Sequence, residues 1–146
     1  MSSALLDGLV AACVNSAEGQ WYGSGLGLEV AETNLAQRRV VYRYRVTGDE
    51  VSCGRLDAGW LATVVDNATD PLICAVGQST KSLTTSLTVH TADAVLVGAP
   101  IEIECRAEQV RPRMVYATAT FRDARRRHIV YATGHHTMVL KSDSRL

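Results

Sequence analysis

The spacing of apolar residues changes along this chain, and that change constrains the fold more than any other feature. From Leu56 to Ala75 apolar residues recur at steps of three and four, the pattern of a buried helix. After Gly77 the chain alternates with a period of two almost to its end, which is typical of strands with one buried face. Helices segregated from a mostly antiparallel sheet define an α+β domain, and that is the predicted class.

Several segments have the composition and alternation of strands. A hairpin is predicted before the central helix, and four strands in a meander are predicted after it. The predicted strands are residues 26–33, 39–46, 80–91, 99–110, 114–123 and 128–140. A further amphipathic helix is predicted over residues 4–17.

Two residues bear on the ends of the central helix. Asp57 stands where an N-cap is expected, since a carboxylate there accepts from the free amides of the first turn. Pro71 lacks a backbone N–H, so we expect it to kink or end the helix near Asp70.

Composition narrows the possible functions. A length of 146 residues favours one domain, 1–146. The chain has 15 basic residues (Lys plus Arg) and 15 acidic residues (Asp plus Glu), so it lacks the basic excess on which nucleic-acid binding rests. Its net charge of zero gives little electrostatic repulsion against self-association. Since we find no apolar run long enough to span a bilayer and no signal pattern, we expect no membrane association and a cytoplasmic location, with the mitochondrial matrix as the alternative.

Asp66 is the most informative polar residue. It interrupts the apolar run from Leu61 to Ile73. Because an isolated buried charge is too costly, its carboxylate must be paired or face a cleft. The alternative interpretation is an acid on a solvated helix edge that it shares with Asn67 and Asp70.

No metal site is predicted. The four cysteines fit no zinc spacing. His135 and His136 are neighbours on a predicted strand, so their side chains point to opposite faces and cannot easily share one ion.

The stretch from Cys53 to Asn67 resembles the signature of hot-dog thioesterases of the phenylacetate-pathway and thioesterase-superfamily-member type. Their pattern is a Gly-x-Leu-His-Gly-Gly loop followed by a helix that carries Ala-Thr-Leu-x-Asp. The matching positions are Gly54, Leu56, Gly59, Ala62, Thr63, Val65, Asp66 and Asn67. Ala132 to Thr137 resembles the family's Ala-x-Gly-x-x-Thr ending. The resemblance implies a hot-dog fold, in which an antiparallel sheet wraps around a central helix.

The resemblance also implies a site and a reaction, the hydrolysis of acyl-CoA thioesters. Asp66 would be general base or nucleophile, and Ser82 would orient water or the Asp66 carboxylate. The backbone amides of Ala58 and Gly59 would stabilise the oxyanion. No cofactor is expected, because coenzyme A is part of the substrate.

The resemblance further implies contacts to coenzyme A and an assembly. His90, Arg111 and Arg113 would contact coenzyme A, although each could equally be a solvated turn residue. Self-association as a dimer or a dimer of dimers is implied, with residues of both chains in each site.

Three positions depart from the family pattern. Asp57 replaces the motif histidine, Ala58 replaces its first glycine, and Val51 stands where an asparagine is usual. They motivate the alternative of a non-catalytic hot-dog protein that binds acyl-CoA or an acyl carrier. A dehydratase-type enzyme ranks last, because such enzymes usually pair a histidine with the acid and none stands near the motif in sequence.

Overall fold

The computed structural model describes residues 26–79 and 81–141. Within them, one helix packs against a six-stranded antiparallel sheet, which confirms the predicted α+β class. The elements in chain order are β1 (Glu29–Asn34), β2 (Arg39–Arg45), β3 (Val51–Ser52), β4 (Arg55–Leu56), α1 (Ala58–Gly77), β5 (Ser82–Thr91), β6 (Pro100–Arg111), β7 (Met114–Asp123) and β8 (Val130–Leu140). The helix predicted over residues 4–17 lies outside the described residues.

The order of strands in the sheet is β1-β2-β6-β7-β8-β5. The predicted four-strand meander is therefore wrong for β5, which pairs with β8 at an edge of the sheet rather than with β6. The physical reason lies in α1, which crosses one face of the sheet and delivers the chain to the edge far from β2. The loop 92–99 then returns the chain to the middle of the sheet, where β6 joins β2.

The helix begins as the sequence predicts and continues past the residue expected to stop it. Asp57 is the N-cap, with extended backbone angles, and its side chain accepts from the Trp60 amide. Pro71 does not end the helix, which runs on to Gly77. The turn that follows Pro71 buries Leu72 and Ile73 completely, and this burial offsets the lost backbone hydrogen bond. The described residues include no helix that is both long enough and apolar enough to cross a membrane.

The helix approaches the sheet most closely at Gly134 on β8. A Cβ atom built on Gly134 would lie 2.3 Å from Cγ2 of Val65, closer than two carbon atoms can pack. A second tie comes from β2, where the Tyr42 hydroxyl donates to the Ala68 carbonyl at 2.9 Å. Because Val65 and Ala68 flank Asp66 on the helix, these contacts fix the position of that carboxylate over the sheet.

Gly134→Ala should lower the free energy of unfolding by about 1–3 kcal/mol, because the added methyl group overpacks the interface between helix and sheet. Gly48→Ala is the matched control, since a Cβ there meets nothing within 4 Å and its stability should hardly change. Urea unfolding of both variants measures the difference. Equal stabilities of the two variants would contradict the proposed close approach.

Candidate active site

The Asp66 carboxylate lies at the boundary between the core and solvent. Its side chain is 49% exposed, while the preceding Val65 is fully buried. Oδ1 of Asp66 lies 3.3 Å from the Thr84 hydroxyl on β5 and 3.5 Å from Nε2 of His136 on β8. The carboxylate therefore has polar support on the sheet side and remains open on the other.

His136 and Thr84 were not singled out as site residues from the sequence. His136 is completely buried, and its two ring nitrogens contact Thr69 and Thr84 at 2.6 and 2.9 Å. The expectation that no histidine stands near the motif is therefore wrong in space, since β8 carries His136 to Asp66. The two adjacent histidines were expected to point to opposite faces of the strand, and they do. His135 points away from the helix and bonds the Tyr116 hydroxyl at 2.6 Å.

Ser82 faces a different acid from the one expected. Its hydroxyl donates to Oδ1 of Asp70 at 2.7 Å, so Thr84, two residues later, takes the place beside Asp66. The spacing explains the pairing, since four helical residues rise about 6 Å and two strand residues span about 6.6 Å. With α1 and β5 side by side, Asp66 meets Thr84 and Asp70 meets Ser82.

Asp70 is buried, with 4% of its surface exposed, so it does not share a solvated edge with Asp66. Burial raises the pKa of the Asp70 carboxyl above its ordinary value. The hydrogen bonds from Ser82 and from the Cys74 thiol, which lies 3.6 Å away, offset part of that rise. Asn67 is also occupied, since its side-chain amide donates to the Thr63 carbonyl at 2.7 Å.

The start of the helix carries amides that remain available. Asp57 Oδ1 accepts from the Trp60 amide at 3.0 Å, so this carboxylate caps the helix. Ala58 and Gly59 are exposed, and within residues 26–79 and 81–141 their amides have no acceptor. Eight residues separate Ala58 from Asp66, about 12 Å along the helix axis, and the free amides point away from Asp66. One chain therefore does not bring both groups to one small ligand.

The three residues expected to contact coenzyme A are exposed, but they lie at two ends of the sheet. Arg111 and Arg113 flank the β6–β7 turn, which the register places level with Leu83 at the start of β5. His90 lies seven residues further along β5, roughly 20 Å away. A single chain does not gather these three side chains.

No family model matches the sequence, and a comparison of the sequence with curated proteins finds no match. Solved structures do share the fold. Thioesterase superfamily member 2 from zebra fish is 19% identical, with 97% of this chain and 99% of that chain covered and a TM-score of 0.77. PaaI from the phenylacetic acid degradation operon of E. coli is 10% identical, with 97% of each chain covered and a TM-score of 0.77.

A third similar structure holds a ligand. It is a hypothetical thioesterase from Streptococcus pneumoniae solved with coenzyme A, 11% identical, covering 96% of this chain and 97% of that chain with a TM-score of 0.67. Together these structures establish the hot-dog fold expected from the motif between Cys53 and Asn67.

Two of the buried carboxylates, Asp70 on the helix and Asp123 on β7, should give stability changes of opposite sign with pH. The contribution of Asp70 to stability is the unfolding free energy of the wild type minus that of Asp70→Asn. This difference should fall as the pH rises above about 4, because the folded state holds a proton on Asp70 more tightly than the unfolded chain does. The same difference for Asp123→Asn should rise from about pH 2 to about pH 4. There the Tyr131 hydroxyl and the Arg126 amide lower the pKa of Asp123 to about 2.

Urea unfolding of the wild type and of both variants, from about pH 2 to above about pH 4, measures the contributions of Asp70 and Asp123. Two curves with the same slope would contradict the assigned environments of Asp70 and Asp123.

Proposed function

We propose that this protein hydrolyses acyl-CoA thioesters to a free acid and coenzyme A, with Asp66 as the general base or nucleophile. The observation that carries the proposal is the Asp66 carboxylate, half exposed, with the Thr84 hydroxyl and Nε2 of His136 within 3.5 Å of its Oδ1. The fold adds support, because a structurally similar thioesterase holds coenzyme A. A thioester carbonyl above Asp66 would meet either the carboxylate itself or a water bonded to it.

The oxyanion needs donors that Asp66 does not supply. The exposed amides of Ala58 and Gly59 are suited to that task, because they stand at the positive end of the helix dipole. They lie about 12 Å from Asp66 along the axis and point away from it. We therefore propose that each site combines Asp66 of one copy with the Ala58 and Gly59 amides of a second copy.

The unpaired edge of β5 is the proposed contact between the copies. Only one side of β5 is paired in the described sheet, and Leu83 on it is 58% exposed. An exposed apolar edge strand favours pairing with another strand. Antiparallel pairing of β5 with its copy about a two-fold axis would also bring His90 of one copy towards Arg113 of the other, which would join the proposed contacts to coenzyme A.

Two other functions make different predictions. A non-catalytic protein would bind an acyl-CoA without releasing free thiol. A dehydratase-type enzyme needs a histidine nitrogen that reaches the substrate, and His136 does not offer one, because it is fully buried and both its nitrogens are occupied. The hydrolase therefore fits the described site best.

Release of free coenzyme A from a panel of acyl-CoAs tests the proposal. Asp66→Asn should lower kcat by roughly 100-fold or more, since it removes the base and keeps the size of the side chain. Asp93→Asn, a carboxylate on the exposed loop after β5, is the matched control and should leave kcat unchanged. Tight binding without turnover by the wild type would select the non-catalytic alternative.

Ala58→Pro removes one of the two proposed oxyanion donors with little cost to the fold. Proline is favoured at the first position of a helix, and Asp57 before it already has the extended backbone that proline requires, with φ −66° and ψ 135°. We expect a loss of roughly 100-fold in kcat.

Co-refolding equal amounts of Asp66→Asn and Ala58→Pro chains tests whether the site is shared. Half of the dimers would be mixed, and each would hold one intact site, so about one quarter of wild-type activity should return. No recovery would mean that each site is built from a single chain. That result would overturn the shared site without touching the role of Asp66.

A further inference from the structure

The Thr69 hydroxyl joins His136 to the backbone of α1. It is fully buried one turn after Val65, and its Oγ1 lies 2.7 Å from the Val65 carbonyl oxygen. The same Oγ1 lies 2.6 Å from Nδ1 of His136. The proposed hydrolysis as described so far uses no atom of Thr69.

A count of hydrogens decides the direction of these bonds. A threonine hydroxyl has a single hydrogen, and a carbonyl oxygen can only accept. At 2.7 Å the Val65 carbonyl needs the Thr69 hydrogen, since two bare oxygens at that distance would repel. Thr69 must then accept from His136, so Nδ1 carries a hydrogen.

The other ring nitrogen follows from this assignment. Burial lowers the pKa of His136, although Asp66 and Asp70 oppose that shift, so the ring is neutral near neutral pH. A neutral ring with its hydrogen on Nδ1 leaves Nε2 as an acceptor, and the Thr84 hydroxyl lies 2.9 Å from it. Thr84 then donates to His136, and its oxygen, 3.3 Å from Oδ1 of Asp66, can accept from Asp66 once that carboxyl has taken a proton.

We propose that Thr69 is a positioning residue that holds His136 as the Nδ1–H tautomer, so that Nε2 can receive through Thr84 the proton that Asp66 takes from water. The inference rests on the proposed function for its catalytic consequence. The hydrogen on Nδ1 rests on bond geometry, and the neutral charge of the ring rests on its burial.

The relay balances at each step. Water gives a proton to Asp66 while its oxygen bonds the thioester carbon, and the carbonyl electron pair moves onto the oxyanion. The Asp66 proton passes to Oγ1 of Thr84 as the hydroxyl proton of Thr84 passes to Nε2 of His136. Asp66 is again a carboxylate, and the ring is a cation with both N–H groups bonded. The oxyanion electron pair then re-forms the carbonyl as the sulfur of coenzyme A leaves with the C–S electron pair, and the sulfur takes the proton back along the same path.

The ionised ring is the state in which every contact has its own hydrogen. Nδ1–H points to Thr69, Nε2–H to Thr84, the Thr69 hydroxyl to Val65 and the Thr84 hydroxyl to Asp66. A proton stored on His136 therefore leaves no buried polar group unsatisfied.

The ¹⁵N NMR shifts of the His136 ring test the tautomer without any substrate, with His136→Gln used to assign the signals. The wild type near neutral pH should carry its hydrogen on Nδ1. Thr69→Val removes the hydroxyl at constant shape, so Nδ1–H would lack a partner and the hydrogen should move to Nε2. Thr69→Ser keeps the hydroxyl and should keep the wild-type tautomer.

Each outcome decides the proposal. A hydrogen on Nε2 in the wild type would overturn it, and so would an unchanged tautomer in Thr69→Val. Thr69→Ala gives the same comparison where the valine variant does not fold. With acyl-CoA, Thr69→Val should lower kcat about tenfold at unchanged KM, and Thr69→Ser should restore it. A protein with the expected tautomer but without thioesterase activity would contradict the proposed function alone.

Discussion

The contact between Val65 and Gly134 is the interaction on which the site depends. Gly134 lets the helix settle against β8 where any side chain would hold it away. Asp66 follows Val65 on the helix, and His136 stands two residues after Gly134 on the same face of the strand, so this contact also sets the 3.5 Å between Asp66 and His136. The packing of Val65 against Gly134 therefore also determines where the Asp66 carboxylate lies relative to His136.

Helix α1 serves the proposed chemistry at two places that lie too far apart within one chain to act together. Its start offers free amides, and its middle offers a carboxylate about 12 Å away along the axis. In the proposed pair of copies, the start of one helix would face the middle of the other. The departures at Asp57 and Ala58 are compatible with that arrangement, because the Asp57 carboxylate caps the helix and Ala58 still has a backbone amide.

Local pattern predicted the parts of this structure that local physics decides. The helix, its Asp57 cap, the β7 strand and the presence of polar partners for Asp66 follow from periodicity, from capping chemistry and from the cost of a buried charge. The place of β5 and the persistence of the helix through Pro71 depend on tertiary packing, which outweighs local preference. The partners of Asp66 lie 18 and 70 residues away in sequence, so only the register could pair it with Thr84 rather than Ser82.

A crystal structure with a non-hydrolysable thioester analogue of an acyl-CoA would show whether two copies share the site. We expect the analogue's thioester carbon to lie next to the Asp66 carboxylate of one copy. Its carbonyl oxygen should lie within hydrogen-bond distance of the Ala58 or Gly59 amide of a second copy, about 3 Å away. A thioester bound away from Asp66, or an oxygen held by amides of the same chain as that carboxylate, would contradict it.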